Sequence, residues 1–108
     1  MTAAKINTNA ENGSMHIAVS GEIDLANATA VEDELREAVS QQPTAVSVDL
    51  TDLDYLDSAG IRILFTLASR LQALRIVLEL IVPLDSPTRR LIELSGFESL
   101  AALRPGNH

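Results

Sequence analysis

Two short apolar runs, Ala45 to Leu50 and Arg75 to Val82, enclose a strongly periodic segment from Ser58 to about Ala73. The runs read as buried strands and the periodic segment as a helix. A strand–helix–strand unit joins parallel strands through a right-handed crossover, so the chain is confined to α/β architectures. The rest of the sequence builds on that unit. Lys5 to Asn9 and Ser14 to Ser20 form strands around Asn12-Gly13, a pair suited to a tight hairpin turn with positive φ. In the second of these strands Met15, Ile17 and Val19 alternate with His16, Ala18 and Ser20, so one face is apolar. A helix is expected from Ala26 to Ser40, with Ala28, Val31, Leu35, Ala38 and Val39 on its inner side. Thr51 to Asp57 is expected to be a loop. Ser86-Pro87 starts a further helix that Gly96 ends.

These elements assemble into a single α/β domain spanning residues 1–108. The expected sheet is mostly parallel, with four to five strands and an N-terminal antiparallel edge hairpin. Three to four helices pack mainly on one of its faces. Residues 98–103 fit a short helix or a last edge strand, and residues 104–108 a frayed tail.

The core must be aliphatic, because Tyr55, Phe65 and Phe97 are the only aromatic residues. A formal net charge of −7, with Lys5 the only lysine, argues against nucleic acid as a partner. The absence of cysteine excludes disulfides and thiolate metal sites. No apolar run approaches about 18 residues, so no membrane span is expected and the cytoplasm is the expected compartment.

Chemistry concentrates at the strand-to-helix junction Leu56-Asp57-Ser58-Ala59-Gly60. Ser58 suits the N-cap position of the following helix. The same hydroxyl is open to a second role as acceptor of a phosphoryl group, since a helix N-terminus favours added negative charge. Ala59 and Gly60 leave space around it, while Asp24, Asp54 and Asp57 would oppose a phosphate by repulsion. Asp52 and Asp54 also fit as plain turn residues. Nothing nearby activates the serine. His16 and His108 are the only histidines, one in a strand and one at the end, and neither suits a catalytic base for Ser58. Isolated glycines exclude a phosphate-binding loop. Asp49, Asp52, Asp54 and Asp57 suggest magnesium, but a receiver-like site would want a lysine at a late strand end. No metal or cofactor is expected.

The helix after Ser58 has an unusually wide apolar arc. Ile61, Leu64, Phe65, Ala68 and Leu71 suffice to pack on a sheet, and Ile63, Leu67 and Leu74 widen the arc beyond that need. Either a neighbouring helix covers the extra residues, or they form a docking surface bordered by Arg62, Thr66 and Arg70. Asp54 and Tyr55, just before Ser58, would extend that surface.

Three stretches together resemble a known family: Gly21-Glu22-Ile23-Asp24, Val48-Asp49-Leu50 through Leu56-Asp57-Ser58-Ala59-Gly60-Ile61, and Ser86-Pro87 through Gly96-Phe97. They resemble the STAS domain, in particular bacterial anti-sigma factor antagonists, over about Ile6 to Leu103. The resemblance implies that Ser58 is a phosphoacceptor, flanked by Asp24 and Asp57. It implies an anti-sigma factor that is also an ATP-dependent serine kinase, bound by the unphosphorylated protein and released on phosphorylation. It further implies a metal-dependent serine phosphatase that resets the switch, and a monomer or weak dimer that is not itself an enzyme. STAS-like domains also act as constitutive scaffold subunits in lipid-transport or stress-signalling complexes, where Ser58 would only cap its helix. An enzyme or small-molecule sensor ranks last, since no catalytic constellation is visible. Where the family often has glycine after this helix, the chain reads Leu71-Gln72-Ala73-Leu74-Arg75. The stretch Glu79 to Asp85 is also unusually long and apolar.

Overall fold

The Asn12-Gly13 turn has the expected handedness, with φ of 51° and 84°. Positive φ at both turn residues matches the twist of the strands they join. Those strands are β1 (Ala4–Glu11) and β2 (Ser14–Ile23), paired antiparallel. The architecture comes from a computed structural model and is described for residues 3–106. After the hairpin come α1 (Ala28–Ala38), β3 (Ala45–Asp49), β4 (Leu53–Leu56), α2 (Ser58–Ala73), β5 (Val77–Ile81), α3 (Pro87–Leu94) and β6 (Ala102–Arg104). The sheet order is β1-β2-β3-β5-β6, with β4 paired to β2 outside that path. Every pairing except β1–β2 is parallel.

The sheet is one-sided. Ile17, Val19 and Ile23 of β2, Val46 and Val48 of β3, and Leu78 and Leu80 of β5 are buried. They face the helices through Val31, Leu35, Leu64, Ala68, Leu71 and Ile92, in one continuous core. Between those strand positions fall His16, Ala18, Ser47, Asp49 and Glu79, none of them buried. No helix among the described residues is long and apolar enough to cross a membrane.

Four departures from expectation have local causes. Leu53–Leu56 is a strand rather than a loop; it pairs with Gly21–Ile23, which also prolongs β2 beyond Ser20. The expected helix from Ala26 begins instead at Ala28, because the loop before it closes on itself. Asp24 Oδ1 accepts from the Ala26 amide at 2.8 Å, and Asn27 Oδ1 accepts from the Asp24 amide at 3.0 Å. Such side-chain bonds compete with helical ones. β5 starts at Val77 because Arg75, at φ 62°, is still turning out of α2. Residues 97–104 realise both expected alternatives, a single 3₁₀ turn over Phe97–Ser99 and then β6. Arg104 is therefore not part of a frayed tail, contrary to expectation. The Arg104 carbonyl accepts from the Val82 amide at 2.7 Å, and its guanidinium pairs with Glu79. The rest of the expected tail at 107–108 lies outside the described residues.

α3 follows its sequence signals. Ser86 Oγ accepts from the Arg89 amide at 3.0 Å, Pro87 takes the first helical position, and Gly96 adopts φ 76° beyond the end. Arg89 is buried, and its Nη1 donates to the Val82 carbonyl at 2.8 Å, tying α3 to the end of β5.

Candidate functional site

The start of α2 is set by Asp57, not by Ser58. Asp57 Oδ1 accepts from the amides of Ala59 (2.9 Å) and Gly60 (3.2 Å), which makes Asp57 the N-cap. This corrects the expectation that Ser58 caps the helix. The carboxylate is the better cap here because two orphan amides converge on it and negative charge is favoured at a helix N-terminus. Its second oxygen accepts from the Leu25 amide at 3.3 Å. One carboxylate thus fastens the β2–α1 loop, with Asp24 in it, to the start of α2.

Ser58 is thereby released from structural duty. It occupies the first helical position, is exposed, and its hydroxyl makes no hydrogen bond to the described residues. Below it the helix is pressed against the sheet. Ala59 and Gly60 are buried, and a Cβ on Gly60 would lie 2.2 Å from Leu56 Cδ1 and 3.2 Å from Ile23 Cγ2. Glycine at this position lets α2 sit close on β4 and the end of β2. The expected space around Ser58 is therefore close packing beneath it and solvent above it.

The proposed docking residues divide in two. Ile63 and Leu67 are each only 5 % exposed, so they are not a free surface. They line a hollow with Glu32, Leu35 and Arg36 of α1, which is the neighbouring helix that covers the wide apolar arc. Leu74 remains exposed. Arg62, Thr66 and Arg70 are exposed and follow Ser58 at intervals of four residues, on one polar stripe along α2. Asp54 and Tyr55 are exposed on β4, beside a shallow hollow that Arg90, Leu91 and Leu94 of α3 complete. Leu25, 78 % exposed and held by Asp57, is a candidate contact that sequence reasoning passed over. Its signal was an apolar residue immediately after an aspartate in a polar loop.

Asp49 has a local role. Asp49 Oδ1 accepts from the amide and hydroxyl of Thr51 at 2.9 and 2.6 Å. Among the described residues no group of three or more acidic or histidine side chains converges as a metal site. His16 lies across the sheet with Nδ1 2.7 Å from Ser47 Oγ.

An exposed hydroxyl at a strand-to-helix junction, on a six-stranded sheet backed by helices, fits a domain of the STAS class. A profile of the STAS domain matches residues 5–106, and the chain belongs to that family. Within it the chain falls among the anti-sigma factor antagonists. It is 35 % identical to the anti-sigma-F factor antagonist RsfB of Mycobacterium tuberculosis over 88 residues, which is 81 % of this chain and 70 % of that protein. An anti-sigma factor antagonist from Mycobacterium paratuberculosis superposes with a TM-score of 0.87 at 28 % identity, covering 96 % of this chain and 87 % of the other. The anti-sigma factor antagonist SpoIIAA in its unphosphorylated form shares the fold, with a TM-score of 0.73 at 20 % identity over 92 % of this chain and 87 % of its own.

Proposed function

We propose that this protein is a partner-switching antagonist. Unphosphorylated, it binds an anti-sigma factor that is also a serine kinase and so frees a sigma factor for transcription. Phosphorylated at Ser58, it lets the kinase go, and a metal-dependent phosphatase restores it. The observation that carries this reading is the division of labour between Asp57 and Ser58: the carboxylate caps the helix and the hydroxyl is left exposed beside it. A serine needed as a cap would be a poor phosphoacceptor, because its oxygen would already be engaged. Among the described residues no side chain hydrogen-bonds the Ser58 hydroxyl as a base would, which supports a catalyst supplied by another protein. Under this reading the protein is a substrate and not an enzyme, and it acts in the cytoplasm.

A phosphate here adds about −1.5 to −2 charges next to Asp57 and the Asp24 loop. It changes the sign-balance of a surface that otherwise offers Arg62 and Arg70 along the stripe and Leu25 and Tyr55 at its head. The contact surface proposed for the kinase is that stripe together with Asp54 and Tyr55, while Ile63 and Leu67 support it from beneath.

Incubation with the cognate kinase and ATP should give one phosphate per chain, with none on Ser58→Ala. Calorimetry should show Ser58→Ala binding the kinase as the parent does, and Ser58→Glu binding at least about tenfold more weakly. Equal phosphate incorporation into Ser58→Ala would end the assignment.

A further inference from the structure

β1 forms one edge of the sheet and is eight residues long. Sheet edges are usually protected by brevity, charge, proline or a bulge. The opposite edge obeys this rule: β6 has three residues and ends in Arg104. The middle of β1, Ile6-Asn7-Thr8-Asn9-Ala10, has no charge, no proline and no glycine. Charges stand only toward its ends, at Lys5 and Glu11.

The hairpin determines which backbone groups reach outward. A two-residue turn makes Glu11 and Ser14 a mutually hydrogen-bonded pair, and such pairs recur at every second residue. Consistent with that phase, the Glu22 amide donates to the Ala3 carbonyl at 2.9 Å. The backbones of Lys5, Asn7, Asn9 and Glu11 are therefore turned to β2, and those of Ile6, Thr8 and Ala10 are turned away from the sheet. An added antiparallel strand must bond through that second set.

We propose that β1 pairs with β1 of a second copy, about a two-fold axis at Thr8. In this register Ile6 lies opposite the partner's Ala10 and Thr8 opposite the partner's Thr8, so the outward backbone groups meet. Asn7 then stands opposite the partner's Asn9, amide to amide, and Lys5 stands opposite the partner's Glu11. The symmetry makes each of these contacts twice, as an isologous interface requires. Lys5, Asn7, Asn9 and Glu11 share the open face of the sheet, where Lys5 is exposed and the Glu11 side chain is 66 % exposed. Glu11 also lies 3.9 Å from Nε2 of its own His16, so Lys5 of the partner joins an existing polar corner. Centring the axis on Asn7 instead sets Lys5 against Asn9 and loses both charge pairs. The chain has a single lysine, and it stands where this one register uses it.

Sedimentation equilibrium from about 10 µM to about 500 µM tests the pairing, a range suited to a small interface. The mass should rise from 11.6 kDa toward twice that value. Lys5→Glu and Glu11→Lys should each weaken association on the order of tenfold, and the double exchange should restore it. Thr8→Pro removes only an outward amide and is compatible with an edge strand. It should abolish the dimer and leave the circular dichroism spectrum and melting temperature close to the parent's. A parent that stays monomeric over the whole range overturns the proposal. So does association of Thr8→Pro equal to the parent's, or a double exchange as weak as its single components.

Discussion

Asp57 and Ser58 are adjacent, both are good capping residues, and only one of them caps. Which one wins depends on contacts made elsewhere. Asp57 also holds the Leu25 amide, a bond a serine at the same position could not make with a second oxygen while capping. Replacing Asp57 by alanine should lower stability by about 1–2 kcal/mol, the loss of one cap and one loop tether. Asp57→Asn should cost much less, because asparagine caps equally well and retains one acceptor oxygen. Thermal melts of the two variants separate the roles: the alanine variant should melt several degrees below the asparagine variant. Equal melting temperatures would mean that the cap contributes little. The asparagine variant also removes a charge beside Ser58 without loosening the helix, so it isolates the electrostatic part of the switch.

Among the elements, the turn leaving α2 is the most unusual. The Ile76 amide donates to the Leu71 carbonyl at 2.8 Å and the Arg75 amide to the Gln72 carbonyl at 3.0 Å, a complete Schellman closure. Its left-handed position is Arg75, at φ 62°, where glycine is the usual occupant. The missing glycine therefore did not alter the turn; the chain adopts it with a strained arginine. Arg75→Gly should stabilise the protein by about 1 kcal/mol, less the entropy that glycine loses on folding. Urea unfolding should show a higher midpoint with an unchanged slope. A lower midpoint would mean that the arginine side chain contributes more than the strain removes. β4 illustrates why some elements were hidden. Leu53 and Leu56 are buried, Asp54 and Tyr55 between them are exposed, and so no two-residue alternation marks the strand. Its partner, the far end of β2, lies some thirty residues earlier, a pairing that no local pattern records. The hairpin, α2 and the start of α3 were legible because turn residues, periodicity and capping serine each act locally. The burial of Ile63 and Leu67 was not, since it depends on where α1 lands.

At the scale of the whole molecule, charge opposes compactness. Fifteen acidic residues face eight basic ones, for a net charge of −7. Ion pairs relieve little of this: each one between described side chains, that of buried Arg89 with Glu93 included, has an exposed partner and is individually weak. Unfolding lets like charges separate, so self-repulsion lowers the stability of the folded state. Salt screens that repulsion over about 10 Å at 0.1 M, a distance comparable with the 12.6 Å radius of gyration. Raising sodium chloride from about 10 mM to about 300 mM should therefore raise the melting temperature by about 2–5 °C. A stability held chiefly by surface ion pairs would move the other way, because the same screening weakens them. Phosphorylated protein, with about two further negative charges at one end of α2, should show the steeper rise with salt. The comparison is best made by calorimetry on parent and phosphorylated chains in parallel. Parallel salt curves for the two would place the effect of the phosphate in the local contacts of Asp57 and Leu25, and not in the field of the whole molecule.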